Sequence, residues 1–164
     1  MIPKIKKILY ATDLTKNSAY AFYYAVDMAK KHDAEIVILH AVEPLRASAF
    51  GTAKEKAERS QQEVSMEVIR NRIRKFCENV EEKNSLACVN LVTKTVVRVG
   101  YPVEEILKTA EEDGCDAIVL GSHGKGFLQH AFLGGVSCAV LERTRKPVFI
   151  IPLPSEEVSS WDEM

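Results

Sequence analysis

Apolar residues cluster in five short runs along the chain: Ile8-Leu9-Tyr10-Ala11, Ile36-Val37-Ile38-Leu39, an alternating stretch from Val89 to Val99, Ala117-Ile118-Val119-Leu120 and Val148-Phe149-Ile150-Ile151. Four of the five are continuous rather than alternating. That is the pattern of strands covered on both faces, as in a parallel sheet. Between the runs the apolar spacing changes to that of helices. Ala19, Phe22, Tyr23, Val26 and Ala29 form one stripe, and Met66, Ile69, Ile73, Phe76 and Val80 another. Val103, Ile106, Leu107 and Ala110 follow a proline at a first helical turn, and Val136, Val140 and Leu141 mark a fourth helix. Strand and helix in alternation predict an α/β fold: an open, doubly wound, five-stranded parallel sheet with helices on both faces. In such a sheet ligands bind beyond the carboxyl ends of the strands, where the strand order reverses.

The chemistry concentrates at one of those ends. After Leu120 come Gly121-Ser122-His123-Gly124-Lys125-Gly126, and after seven intervening residues, Phe127 to Leu133, Gly134-Gly135-Val136-Ser137 opens the fourth helix. Glycines permit a close approach of backbone to ligand, and a helix start presents free N–H groups and a positive dipole end to an anion. The spacing points to a nucleotide phosphate. The alternative, left open by spacing alone, is that these glycines only end a strand and make turns. A P-loop is excluded because Phe127 and Leu128 stand where Lys and Ser/Thr are required, and a dinucleotide fingerprint because Gln129 replaces its last glycine. If the first and fourth strands are neighbours, Ala11-Thr12-Asp13-Leu14-Thr15 faces the same crevice. Asp13 is there either as a ligand contact or as the acid of an Asx turn leading into the first helix.

Composition narrows the partners. The 164 residues are 46% hydrophobic and 27% charged with a net charge of −1, so no basic surface favours nucleic acid or an anionic membrane. No apolar run approaches the roughly 20 residues that span a bilayer. The start of the chain reaches only a short apolar run before Thr12-Asp13, unlike a secretory leader, so a cytoplasmic location is expected. Cys77, Cys88, Cys115 and Cys138 form no C-x-x-C pair and are expected to be buried thiols. Glu43 to Thr52 is a connection with the composition of a mobile lid, and residues 153–164 form an acidic tail after a domain spanning 1–152. His123 stands in the glycine loop without a second acid or a metal set, and His32, His40 and His130 show no ligand spacing.

Taken together, Asp13 after the first strand and the spacing Gly121-x2-Gly124-x9-Gly134 resemble the universal stress proteins (UspA-like). The likeness runs from about Lys4 to Ile151 and includes Gly100-Tyr101-Pro102 and Lys146-Pro147. It implies a Rossmann-like fold of the adenine nucleotide alpha hydrolase kind and the family's ATP-binding branch. It further implies that Ala11, Thr12 and Asp13 contact the adenosine and that backbone groups at Ala41 pair with the adenine edge. Leu120, Gly121 and Gly124 would pass close to ribose and phosphate, with Lys125 beside them. The N–H groups of Gly134, Gly135, Val136 and Ser137, with the Ser137 hydroxyl, would hold the phosphates of ATP, ADP or AMP, and Mg²⁺ would arrive with the nucleotide. One position departs from the family pattern: Gly135 stands where Ser or Thr is usual, which keeps a backbone donor and removes a hydroxyl. The resemblance also implies a homodimer through strand 147–151. The expected function is that of a regulatory, stress-response nucleotide-binding module; the alternatives are a slow ATPase or a nucleotide-free dimeric scaffold. A PP-loop ATP pyrophosphatase is excluded, since Ala11 to Thr15 lacks its Ser-Gly-Gly-x-Asp-Ser turn.

Overall fold

The computed structural model describes residues 1–44, 52–85, 87–122 and 133–152, with the side chains of 52–57 left aside. Along the chain run β1 (Lys7–Ala11), α1 (Lys16–His32), β2 (Glu35–Val42), α2 (Thr52–Asn84), a 3₁₀ turn (Val89–Leu91), β3 (Val92–Val99), α3 (Pro102–Glu112), β4 (Ala117–Gly121), α4 (Gly135–Arg143) and β5 (Val148–Ile151). The strands form one sheet in the order β3-β2-β1-β4-β5, parallel throughout. Strand order therefore reverses between β1 and β4, the neighbours on which the shared crevice depends, and β5 lies at an edge. The third apolar run divides differently from its expected extent. Its first residues, Val89 to Leu91, coil into the 3₁₀ turn, and pairing with β2 begins at Val92.

Continuous apolar strands are explained by the two cores they serve. Ile8, Tyr10, Ile36 and Ile38 point into one cluster with Phe22 of α1 and Ile73, Phe76 and Val80 of α2. Leu9, Val37, Leu39, Ile118 and Leu120 point into the other with Ile106 and Ala110 of α3 and Val140 of α4. Successive strand residues thus meet opposite helical layers. In the first core Phe22 stands between two rings, with centroids 5.3 Å from Tyr10 and 5.5 Å from Phe76. At the bottom of the sheet the Asp116 carboxylate accepts the N–H groups of Lys6 and Lys7 at 2.8 and 2.9 Å, which aligns the starts of β1 and β4.

Of the four cysteines expected to be buried, Cys77, Cys88 and Cys115 are, and Cys138 is exposed on α4. Its neighbours Val136 and Leu141 are also outward, because α4 buries only Ser137 and Val140. Burial pushes the Cys77 thiol up to about 12 and the Cys115 thiol up to about 11, so both remain protonated near neutral pH. Most of the candidate lid, residues 45–51, lies outside the described residues, as do the tail 153–164, His123, Gly124, Lys125 and His130. No helix among the described residues is long and apolar enough to cross a membrane.

Candidate functional site

The crevice at the carboxyl ends of β1 and β4 has two walls. The first is the turn from β1 into α1. Thr12 extends the ladder by one bond, its N–H donating to Leu39 O at 2.9 Å. Its carbonyl accepts from His40 Nδ1 at 2.7 Å. A carbonyl can only accept, so Nδ1 carries the proton. His40 is buried, which makes it a tie between the end of β2 and the turn that carries Asp13. Leu14 follows at φ 68°, a left-handed conformation that costs a leucine about 1 kcal/mol. Two things hold it there: its N–H donates to Thr12 Oγ1 at 3.0 Å, and its side chain is buried in the first core.

Hydroxyls complete this wall. Thr12 Oγ1 lies 2.9 Å from Ser18 Oγ, which in turn donates to Thr15 O at 3.0 Å. Thr12 and Ser18 thus link the Leu14 N–H to the Thr15 carbonyl. Asp13 Oδ1 accepts from both the N–H and the hydroxyl of Thr15, at 3.0 and 2.6 Å, an Asx turn that sets Thr15 as the N-cap of α1. The Tyr10 hydroxyl donates to Ser18 O from below, and burial raises its pKa far beyond any physiological titration. Asp13 thus has a structural role whatever else its carboxylate meets.

The second wall is the exit of β4 and the start of α4. Ser122 N–H donates to Ile151 O at 2.8 Å, and Ser122 O accepts from Gly134 N–H at 2.7 Å, so the chain that leaves β4 returns to within one hydrogen bond of its departure. Ser137, buried on the inner side of α4, donates its hydroxyl to Gly121 O at 2.8 Å. Gly134 is the N-cap of α4 at φ −66°, ψ 157°, and offers no side-chain cap. Among the described residues no side chain caps the N–H groups of Gly135, Val136 and Ser137, which have no acceptor within the helix and carry the positive end of its dipole. A Cβ added at Gly135 would meet nothing within 4 Å among the described residues.

The fold brings together Ala11, Thr12, Asp13, Leu120, Gly121, Gly134, Gly135, Val136 and Ser137 at the β1/β4 switch point, with Ala41 beside them at the end of β2. Two expected contacts differ from their sequence reading. Gly134 N–H is taken by Ser122, which leaves those of Gly135, Val136 and Ser137 from the expected four, and the Ser137 hydroxyl proton is directed to Gly121. Three site residues escape sequence reasoning: His40, Ser18 and Asn17. Each is a polar residue set in an otherwise apolar stripe or run, the one signal that could have marked them.

The profile of the universal stress protein family matches residues 4–152. Universal stress protein MJ0577 of Methanocaldococcus jannaschii is 32% identical, covering 89% of this chain and 94% of that protein. Universal stress protein YxiE of Bacillus subtilis is 34% identical, covering 88% and 97%. The solved structure of MJ0577 superposes with a TM-score of 0.70 at 28% identity, over 94% of this chain and all of the other (100%). A universal stress protein in complex with cAMP shares the fold, with a TM-score of 0.57 at 22% identity over 92% of this chain and 98% of that one. With its sheet order, its glycine spacing and a family profile matched from residue 4 to residue 152, the chain belongs to the universal stress protein family.

Proposed function

We propose that the protein binds an adenine nucleotide in the crevice between the Thr12-Asp13 turn and the start of α4, and acts as a nucleotide-dependent regulatory module in the response to stress. The observation that carries the reading is the uncapped start of α4 at the switch point: three adjacent N–H groups, at Gly135, Val136 and Ser137, in a fold that collects ligands there. The adenosine would lie across the strand ends, with Asp13 toward the ribose and the Ala41 backbone toward the base. The phosphates would sit at α4, with Mg²⁺ accompanying them and Gly124 and Lys125 contributing from beyond the described residues. A protein of the same fold holds cAMP, which is consistent with an adenine nucleotide as the ligand class.

Calorimetric titration with ATP, ADP and AMP in the presence of Mg²⁺ tests this. Saturable heat with each nucleotide, strongest where the phosphates can reach α4, is expected; a folded protein that gives none at millimolar ligand refutes it. Homodimerisation belongs to the same proposal. The two sheet edges differ: β3 carries Lys94 and Arg98, paired with Asp113 and Glu112 at 2.6 and 2.7 Å, whereas β5 is Val-Phe-Ile-Ile with Phe149 exposed. Charged edges resist strand addition and apolar ones invite it. Sedimentation should give a dimer that Phe149→Lys dissociates.

A further inference from the structure

We propose that Asn17 is a positioning residue for the phosphate side of the crevice, and that residue 121 is glycine because of Asn17 rather than because of the ligand. The proposal rests on the nucleotide reading above, and it changes the role that spacing suggests for the first glycine of the motif.

Glycine is usually required for one of two reasons, a left-handed backbone or the absence of a side chain. The first does not apply: among the described glycines only Gly114 has a positive φ. Gly121 is the last residue of β4, paired with Ile151 of β5. The second reason applies, but the neighbour is inside the protein. A Cβ at residue 121 would stand 3.0 Å from Asn17 Nδ2, 3.4 Å from its Cγ and 3.6 Å from its backbone oxygen. Asn17 is in the first turn of α1 and only 7% exposed, so its carboxamide has little room to retreat.

Gly121 is therefore held from both layers. From α1, Asn17 fills the space a side chain at 121 would need, and from α4 Ser137 bonds the carbonyl at 2.8 Å. The next residue, Ser122, is bonded to β5 and to Gly134. The point at which the chain leaves β4, and with it the distance between the two walls, depends on how closely α1 approaches residue 121. Asn17 sets that approach, and it lies two residues beyond the Thr15 cap and four beyond Asp13. The same short stretch of chain thus shapes both walls.

A double-mutant cycle tests the inference with two readouts, the thermal midpoint and the affinity for Mg²⁺-ATP, in the parent, Asn17→Ala, Gly121→Ala and the double variant. Overpacking in Gly121→Ala is expected to lower the midpoint by about 4 °C and to weaken ATP about tenfold. In the Asn17→Ala background the same Gly121→Ala change should cost little by either measure, because the space is vacated. If Asn17→Ala does not fold, Asn17→Ser takes its place in the cycle. An equal penalty for Gly121→Ala in both backgrounds overturns the proposal, since residue 121 would then face something other than Asn17. A coupled midpoint with unaltered ATP affinity also overturns the positioning role. Absence of ATP binding in the parent refutes the nucleotide reading, while the midpoints still decide whether Asn17 dictates glycine at 121.

Discussion

At the end of β1 the polar groups of Thr12, Asp13, Thr15 and Ser18 are bonded to one another, to His40 and to Leu14, whereas at the start of α4 three N–H groups lie beyond a helix cap that has no side chain. The first wall has its shape before any ligand arrives. On the proposed nucleotide reading, the second would be completed by one. Such a division is economical for a binding protein, because the rigid wall adds no ordering cost when the ligand docks, while open donors supply attraction for an anion. A left-handed Leu14 persists in the first wall because bonds on both sides of it over-determine its conformation. Nothing comparable is asked of Gly135, which is helical and has open space around it among the described residues.

The largest expected effect comes from cutting the tie that makes the first wall rigid. His40→Leu leaves the Thr12 carbonyl buried without its donor, a loss of about 1–3 kcal/mol, and thermal denaturation should show a midpoint lower by about 3–9 °C. His40→Asn places an amide donor near the position of Nδ1 and should recover part of that loss. A His40→Leu protein with the parental midpoint would show that the wall does not depend on the tie.

Next in size is a change to the open wall. Gly135→Ser restores a hydroxyl at the helix start in a place with room for it. Titration should show ATP bound about tenfold more tightly, the value of one hydrogen bond to a charged group, with adenosine nearly unaffected. Equal affinities for both ligands in variant and parent would remove residue 135 from the phosphate side. Stability should change little, which is the contrast with His40.

The smallest effect separates the two duties of Asp13. Asparagine can accept the same two bonds from Thr15, so Asp13→Asn should leave the thermal midpoint within about 1 °C. Only the charge is lost, and the affinity for adenosine and ATP alike should fall by about three- to tenfold as a charged hydrogen bond becomes a neutral one. An unchanged affinity for both would confine Asp13 to its Asx turn.

The parallel sheet was legible because β1, β2 and β4 are apolar on successive residues, and only burial on two faces rewards that pattern. The helix starts at Pro102 and near Gly135 were legible from their capping residues. Cys138 was not, since the apolar residues beside it on α4 themselves face outward, so apolar neighbours gave no sign of burial. Nor was the start of β3, where Val89 to Leu91 continue the alternation of a strand and yet coil.

By itself the sequence determined the layered α/β architecture, the family and the end of the sheet where chemistry gathers, because periodicity and glycine spacing are local quantities that one chain displays in full. The tertiary structure alone decided what each polar group does. His40 reaches Thr12 across 28 residues, Ser137 reaches Gly121 across 16, and Gly134 turns its N–H back to Ser122. Such bonds form between strands and helices that only the sheet order brings together. A donor that reads as available to a ligand can therefore be engaged within the protein, and a glycine that reads as making space for a ligand can be making it for Asn17.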